Sequence, residues 1–256
     1  MPESLVPLAP GSLSGKTALV TGSSRGIGAD TARLLAAAGA EVFVNYRSKA
    51  PRAEKLIAEI EAAGGVAHAV GADLTDADSV AAFVAAVAAG GSLDILVLNA
   101  SGGMEASMGE DYAMRLNRDA QVGFLSACRP LLGRGSRVVF VTSHQAHFIR
   151  TTPTMPEYEA VALSKRAGED ALRALIPELE EDGIDFVVVS GDMIEGTITA
   201  TLLERANPGA IASRRESAGR LYNVEEFATE VALAAVQPVP EGNTRYIGDT
   251  SSFTGA

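Results

Sequence analysis

Along nearly the whole chain, short runs of consecutive apolar residues alternate with longer segments whose apolar residues recur every three or four positions. The short runs predict strands at 16–21, 41–46, 66–70, 93–98, 137–142, 185–190 and 244–247. The helical spacing predicts helices over 27–38, 52–63, 76–89 and 157–181. A strand such as Ile95-Leu96-Val97-Leu98 has no polar face, which suits a parallel sheet covered on both sides. Repeated strand–helix–strand units of this kind build one α/β domain, residues 1–256, with a doubly wound parallel sheet of about seven strands flanked by helices.

Two stretches break the rhythm. Residues 143–156 and 192–220 are long and irregular in pattern, and both follow strands, so both belong at the carboxyl edge of the sheet, where open α/β folds bind ligands. The second is expected to be a substrate lid. At the start, MPESLVPLAPGSLSG has an acidic residue and three prolines where a signal peptide would have a basic and then an apolar segment, so residues 1–12 are expected to be a flexible lead-in.

Composition narrows the function. The chain has 256 residues, 47% hydrophobic and 21% charged, enough for a sizeable core. Asp and Glu outnumber Lys and Arg by 32 to 21, and the net charge of -11 disfavours nucleic acid and anionic membranes as partners. One cysteine, Cys128, allows no internal disulfide, and no His/Cys cluster surrounds it to hold a metal; a reducing, cytoplasmic setting is expected. No apolar run approaches the ~20 residues of a membrane span.

Candidate chemistry begins after the first strand. In Thr21-Gly22-Ser23-Ser24-Arg25-Gly26-Ile27-Gly28 three glycines lie between a strand and a helix, so backbone and helix N-terminus can approach a pyrophosphate closely. The second strand ends in Asn45-Tyr46-Arg47-Ser48, with no carboxylate for a ribose 2′-hydroxyl. Arg47 and Ser48, with Arg25, offer charge and donors for a 2′-phosphate instead, so NADP(H) is the expected cofactor.

These segments resemble the short-chain dehydrogenase/reductase family from about residue 13 onward. TGSSRGIG is similar to its glycine motif; Asp73-Leu74, with Ala72 beside it, to its adenine-contacting pair; and Asn99-Ala100-Ser101-Gly102 to its motif after the fourth strand. The resemblance implies a Rossmann-type fold and the cofactor contacts Gly22, Ser24, Arg25, Gly26, Ile27, Gly28, Asn45, Tyr46, Arg47, Ser48, Ala72, Asp73, Leu74, Asn99, Ala100 and Ser101. It further implies catalytic roles for Asn117, Ser143 and Lys165, with Lys165 also on the nicotinamide ribose, and a nicotinamide contact from Thr197 in a lengthened version of the motif after the sixth strand.

One member of the catalytic set is missing. Four residues before Lys165, where the family has its tyrosine, stands Val161, which can donate no proton. Tyr158 lies three residues earlier on nearly the same helix face, but a helical side chain leans toward the N-terminus, here away from Lys165. His144, beside Ser143, is a second candidate acid; His147 and Tyr112 are weaker ones. A third source is the substrate, since a ketone beside a phenolic or enolic hydroxyl brings its own proton. Val161 would then leave apolar room for a flat aromatic ligand. That combination resembles ketoreductases of aromatic polyketide antibiotic pathways, the tyrosine-free, simocyclinone-type angucyclinone ketoreductases among them.

The reading is an NADPH-dependent ketoreductase acting on a polycyclic aromatic ketone with substrate-assisted protonation, and the resemblance implies assembly as a homodimer or homotetramer through the helices after the fourth and fifth strands. Its competitor is a non-catalytic NADP(H)-binding sensor or scaffold of the same fold.

Overall fold

The computed structural model describes residues 8–104 and 111–255. Seven strands, β1 (Thr17–Val20), β2 (Glu41–Tyr46), β3 (Val66–Gly71), β4 (Leu93–Leu98), β5 (Leu132–Ser143), β6 (Asp185–Gly191) and β7 (Thr244–Ile247), form one parallel sheet in the order β3-β2-β1-β4-β5-β6-β7. The order reverses between β1 and β4, whose register pairs Val20 with Val97; a crevice opens there beyond the strand ends.

Alternate residues of each strand enter two cores. Val20, Val44, Val97, Val139 and Val187 face one layer, built on α1 (Gly26–Ala37), α2 (Ala50–Ala62) and α11 (Val224–Ala234). Leu19, Phe43, Leu96, Phe140 and Phe186 face the other, built on α3 (Ala77–Ala88), α5 (Ala120–Cys128), α7 (Pro156–Arg173) and α8 (Ile176–Glu181). Burial on both faces is why these strands read as continuous apolar runs.

Before α5 the chain makes a short α4 (Tyr112–Met114) and a π-helical turn, Arg115–Asp119, which brings Asn117 into the interior. The segment after β5 opens with α6 (His144–His147), and the stretch at 192–220 contains α9 (Ile198–Ala206) and α10 (Ala210–Ala218), so the expected irregular lid is largely helical. A four-residue α12 (Ser251–Thr254) closes the described chain.

Three expectations need correction. The helix over 157–181 is two helices, because Pro177 lacks an N–H and its ring would strike the carbonyl of Arg173 in a continuous helix; α7 stops there and Pro177 sits in the first turn of α8. The strand expected at 137–142 begins at Leu132, and its register against β4 shifts between Leu93 and Ile95. Of the lead-in, residues 1–7 lie outside the described part, whereas 8–12 enter a turn in which Leu8 packs on the core and Ser12 N–H donates to Ala9 O at 3.0 Å. Among the described residues no helix is long and apolar enough to cross a membrane, and no cluster of three His, Cys, Asp or Glu could hold a metal.

Candidate active site

One cavity of about 710 Å³ runs along the crevice from the glycine loop to α9. Its floor is tight. Gly22, with φ of +61°, lies so near β4 that an added Cβ would meet Ala100 Cα at 2.9 Å, and a Cβ on Gly28 would meet Asn99 Nδ2 at 2.6 Å. The N-terminus of α1 has no side-chain cap and no acidic residue in its first turn, so its N–H groups remain available to an anion.

The polar residues below the loop are committed to holding it. Ser23 Oγ donates to Val20 O at 2.6 Å and accepts from Asn45 N–H. Asn45 Oδ1 accepts from Gly22 N–H at 3.0 Å while its Nδ2 donates to Ala72 O. Thr21 Oγ1 accepts from the N–H groups of Asn99 and Ala100. Asn45 and Asn99 thus fix the cradle, and the remaining expected cofactor contacts, from Gly22 and Ser24 through Ser101 and on to Thr197, all line it.

Positive charge collects at the β2 end. Arg25, Arg47 and Ser48 line the cavity as expected, and Lys49 and Arg52, at the start of α2, join them. Sequence reading missed this pair, although the spacing of Arg47, Lys49 and Arg52 was visible. Arg47 donates to Tyr112 Oη, which ties Tyr112 to this end of the cavity. Partial burial opposes ionisation of Asp73, but hydrogen bonds from Thr75 and the charges of Arg47 and Arg115 hold its carboxyl below the usual range.

At the opposite end, Ser143 closes β5 and caps α6, its Oγ accepting from Ala146 N–H. Tyr158, in the first turn of α7, shares a hydrogen bond of 3.1 Å with that same Oγ. It is buried, and burial raises its phenol above the ordinary range, so the proton is retained. The expected lean of Tyr158 toward the helix N-terminus, away from Lys165, is what carries its hydroxyl to the serine. Lys165 lines the same cavity; burial pulls its ammonium down to about 8 against the raising influence of Glu169.

Val161 does not line the cavity. It packs in a small core with Ala146, Met193 and Leu203, so among the described residues its side chain faces protein and not the cavity, where the sequence had suggested apolar room for a ligand. His144 is also turned away. Its Nδ1 pairs with Ser190 Oγ at 2.8 Å, its ring lies among Phe148, Tyr246 and Phe253, and burial pulls it down to about 4. His147 is held by Glu169 and Tyr246.

Asn117 does not reach the cavity with its side chain. Nδ2 donates to Gly102 O and to Ser164 Oγ, both at 2.9 Å, and Oδ1 accepts from Gly102 N–H. It ties the segment after β4 to α7, the helix bearing Tyr158 and Lys165, and so acts on the site by positioning. Thr197 caps α9, accepting from Ala200 N–H and donating to Ile194 O. Gln145, Asp192 and Met193 also line the cavity; the last two stand in the lengthened motif after the sixth strand, from which only Thr197 was expected as a contact, and no motif marked Gln145.

The family profile for the short chain dehydrogenases matches residues 16–207. A short chain dehydrogenase/reductase, nsrJ, from Aspergillus novofumigatus is 35% identical over 201 residues, 76% of this chain and 74% of that one. The crystal structure of a short chain dehydrogenase from Burkholderia cenocepacia, in complex with NADP, superposes with a TM-score of 0.77 at 32% identity, covering 96% of this chain and all of the other. That of the angucycline C-6 ketoreductase LanV with bound NADP gives 0.75 at 28%, covering 93% and 95%.

Proposed function

The chain belongs to the short-chain dehydrogenase/reductase family of oxidoreductases, and from that premise we propose that it uses NADPH to reduce a ketone on a polycyclic aromatic substrate. The observation that carries the reading is the Ser143–Tyr158 hydroxyl pair at 3.1 Å in the cavity that also holds Lys165 and begins at the glycine loop. A non-catalytic sensor has no use for such a pair.

The residues fit a dinucleotide. The Gly22 and Gly28 cradle leaves no room for a Cβ, the uncapped α1 N-terminus suits a pyrophosphate, and Arg25, Arg47, Ser48, Lys49 and Arg52 suit a 2′-phosphate. NADPH, when bound, supplies the hydride. The chain's own part is to hold and protonate the ketone. The Ser143 and Tyr158 hydroxyls bind its oxygen, and the Tyr158 phenol, neutral at working pH, gives up its proton as negative charge develops there. Lys165, two turns further along α7, contributes a buried cation to the same cavity and holds the nicotinamide ribose. Thr197, at the head of α9, would orient the nicotinamide end.

This assigns the acid to the protein, where the sequence pattern around Val161 had favoured the substrate. The test is NADPH consumption with a hydroxyl-bearing aromatic ketone and its methyl ether, using wild type and Tyr158→Phe. Loss of turnover in Tyr158→Phe on both substrates supports the protein acid. Full activity in that variant, with the methyl ether inert, makes the substrate hydroxyl the donor. No turnover of any ketone favours the sensor.

The similarity to an angucycline ketoreductase supports a polyketide antibiotic pathway, and the single buried Cys128, which has no partner for a disulfide, suits a cytoplasmic setting. Assembly as a homodimer or homotetramer follows from the family resemblance, and light scattering checks it.

A further inference from the structure

A second cavity, of about 620 Å³, lies between the segment at 152–155, α10 and α12. Gln145 and Met193 line both cavities, so the second opens beside the hydroxyl pair and continues the first. Its wall carries no carboxylate and one cation, Arg214. That cation is already spent: Nε donates to Asp192 at 2.8 Å, and the remaining nitrogens reach Ser252 and Asp249. A charged ligand finds no counter-ion here.

Neutral polar groups are abundant, and they divide into two sets. The hydroxyls of Thr152, Ser217 and Ser252 are engaged within the wall. The Gln145 and Asn207 amides and the Ser213 hydroxyl have no side-chain hydrogen bond among the described residues, and Thr154 Oγ1 is buried with no partner. Met155 and Phe253 add apolar surface between them. Apolar faces with unpaired amides and hydroxyls are the complement of a saturated or aromatic ring bearing neutral hydroxyls.

We propose that this cavity is a subsite for the end of the substrate remote from the reacting ketone, that this end carries neutral hydroxyl groups, and that Gln145, at the junction, is the residue that selects for them. The inference rests on the ketoreductase reading and deepens it: the substrate is elongated, ketone at one end and hydroxylated at the other. Gln145 works here as a specificity residue, its amide both donating and accepting.

The experiment separates binding from turnover. Three probes are titrated into protein saturated with NADP+, which allows no reduction: a tetracyclic aromatic ketone with two hydroxyls on the ring farthest from the ketone, the same skeleton without them, and a bicyclic ketone. Wild type should prefer the hydroxylated tetracycle over its deoxy analogue by about tenfold or more. Gln145→Leu should bring that ratio near one, and Ser213→Trp, a filling change at an exposed position, should weaken the tetracycle relative to the bicycle. Equal affinities in wild type, an unchanged ratio in Gln145→Leu, or failure of the tetracycle to bind while the bicycle binds would overturn the subsite. Turnover is then measured with NADPH. Reduction of the bicycle with no hydroxyl preference sinks the subsite alone, whereas tight selective binding with no reduction of any probe sinks the ketoreductase reading alone.

Discussion

Tyr158 and Ser143 meet through their hydroxyls at 3.1 Å although they belong to different elements, the first turn of α7 and the end of β5. Two turns of helix separate Tyr158 from Lys165, where the family's tyrosine sits one turn away. The contact is possible because the segment joining β5 to α7 delivers the helix start, rather than its second turn, to the serine.

Tyr158→Phe keeps the ring and removes only the hydroxyl. Turnover should fall about 10²–10⁴-fold, the usual worth of a positioned acid, with NADPH affinity unchanged by calorimetry. Ser143→Ala should lower turnover too, and the double variant should cost less than the product of the single effects, because the hydroxyls act as a pair.

Lys165 gives two opposed pH dependences. Its ammonium, held at about 8, is lost as pH rises through that value, so kcat/KM should decline on the alkaline side. Stability runs the other way. The folded pKa lies below the unfolded value near 10.5, so the unfolded chain binds the extra proton between pH 8 and 10.5, and folding gains with pH across that window. In the absence of cofactor, Lys165→Met should therefore stabilise the protein at pH 7, by up to about 3 kcal/mol in urea unfolding, with the gain gone near pH 10.5. A variant that loses activity while becoming more stable is the expected signature of a lysine kept buried for function.

Arg47→Ala should weaken NADPH by about 1 to 3 kcal/mol and leave NADH nearly unchanged. Arg52→Ala should act in the same direction, since α2 brings it to the same cavity. Equal affinity of the wild type for both cofactors in titration calorimetry would remove the case for a 2′-phosphate site.

The sheet and the glycine loop were legible because both depend on local pattern: buried parallel strands are apolar throughout, and three glycines between a strand and a helix have few other uses. Most of the cofactor cradle followed. What sequence could not supply was the partner of each polar side chain. Helical spacing gives the position of Tyr158 along and around α7, but whether its hydroxyl meets Ser143 depends on the path of residues 144–155. The same limit applies to His144, adjacent to the serine in sequence yet turned toward Ser190, and to Asn117, whose amide is consumed by Gly102 and Ser164. The broken helix at Pro177 was readable, since proline in the middle of a helical pattern ends the helix.

Gly168 sets the approach of α7 to the π-helical turn. A Cβ there would fall 2.0 Å from Asn117 O, against backbone that cannot swing aside. Gly168→Ala should cost several kcal/mol or prevent folding. The matched control is Gly123→Ala on the exposed side of α5, where a Cβ meets nothing within 4 Å and the gain in helix propensity should stabilise by about 0.5–1 kcal/mol. Similar effects of the two in urea unfolding would show that α7 can back away from Asn117.

A single arginine holds α10 over the site. Arg214 reaches from it to Asp192, at the end of β6, with Nη2 to Oδ2 at 2.8 Å, and its guanidinium lies 5.2 Å from the Phe253 ring centre. Phe253 stacks on Phe148, and Phe148 on Tyr246, so a single arginine fastens α10 to the segments after β5, β6 and β7. The Asp192 carboxylate is almost wholly buried, 1% exposed, and lines the catalytic cavity. Arg214→Ala leaves that charge unpaired, which should cost about 3–5 kcal/mol locally and release α10 before the sheet unfolds. Hydrogen exchange should then rise across 198–218 with little change in β1–β6, and KM for the ketone should rise while NADPH affinity at the glycine loop holds. Removing both charges, in Asp192→Asn with Arg214→Ala, should restore part of the protection, since the penalty of the single variant comes from the stranded carboxylate. If exchange rises equally in the sheet, Arg214 stabilises the whole domain and α10 has no independent motion.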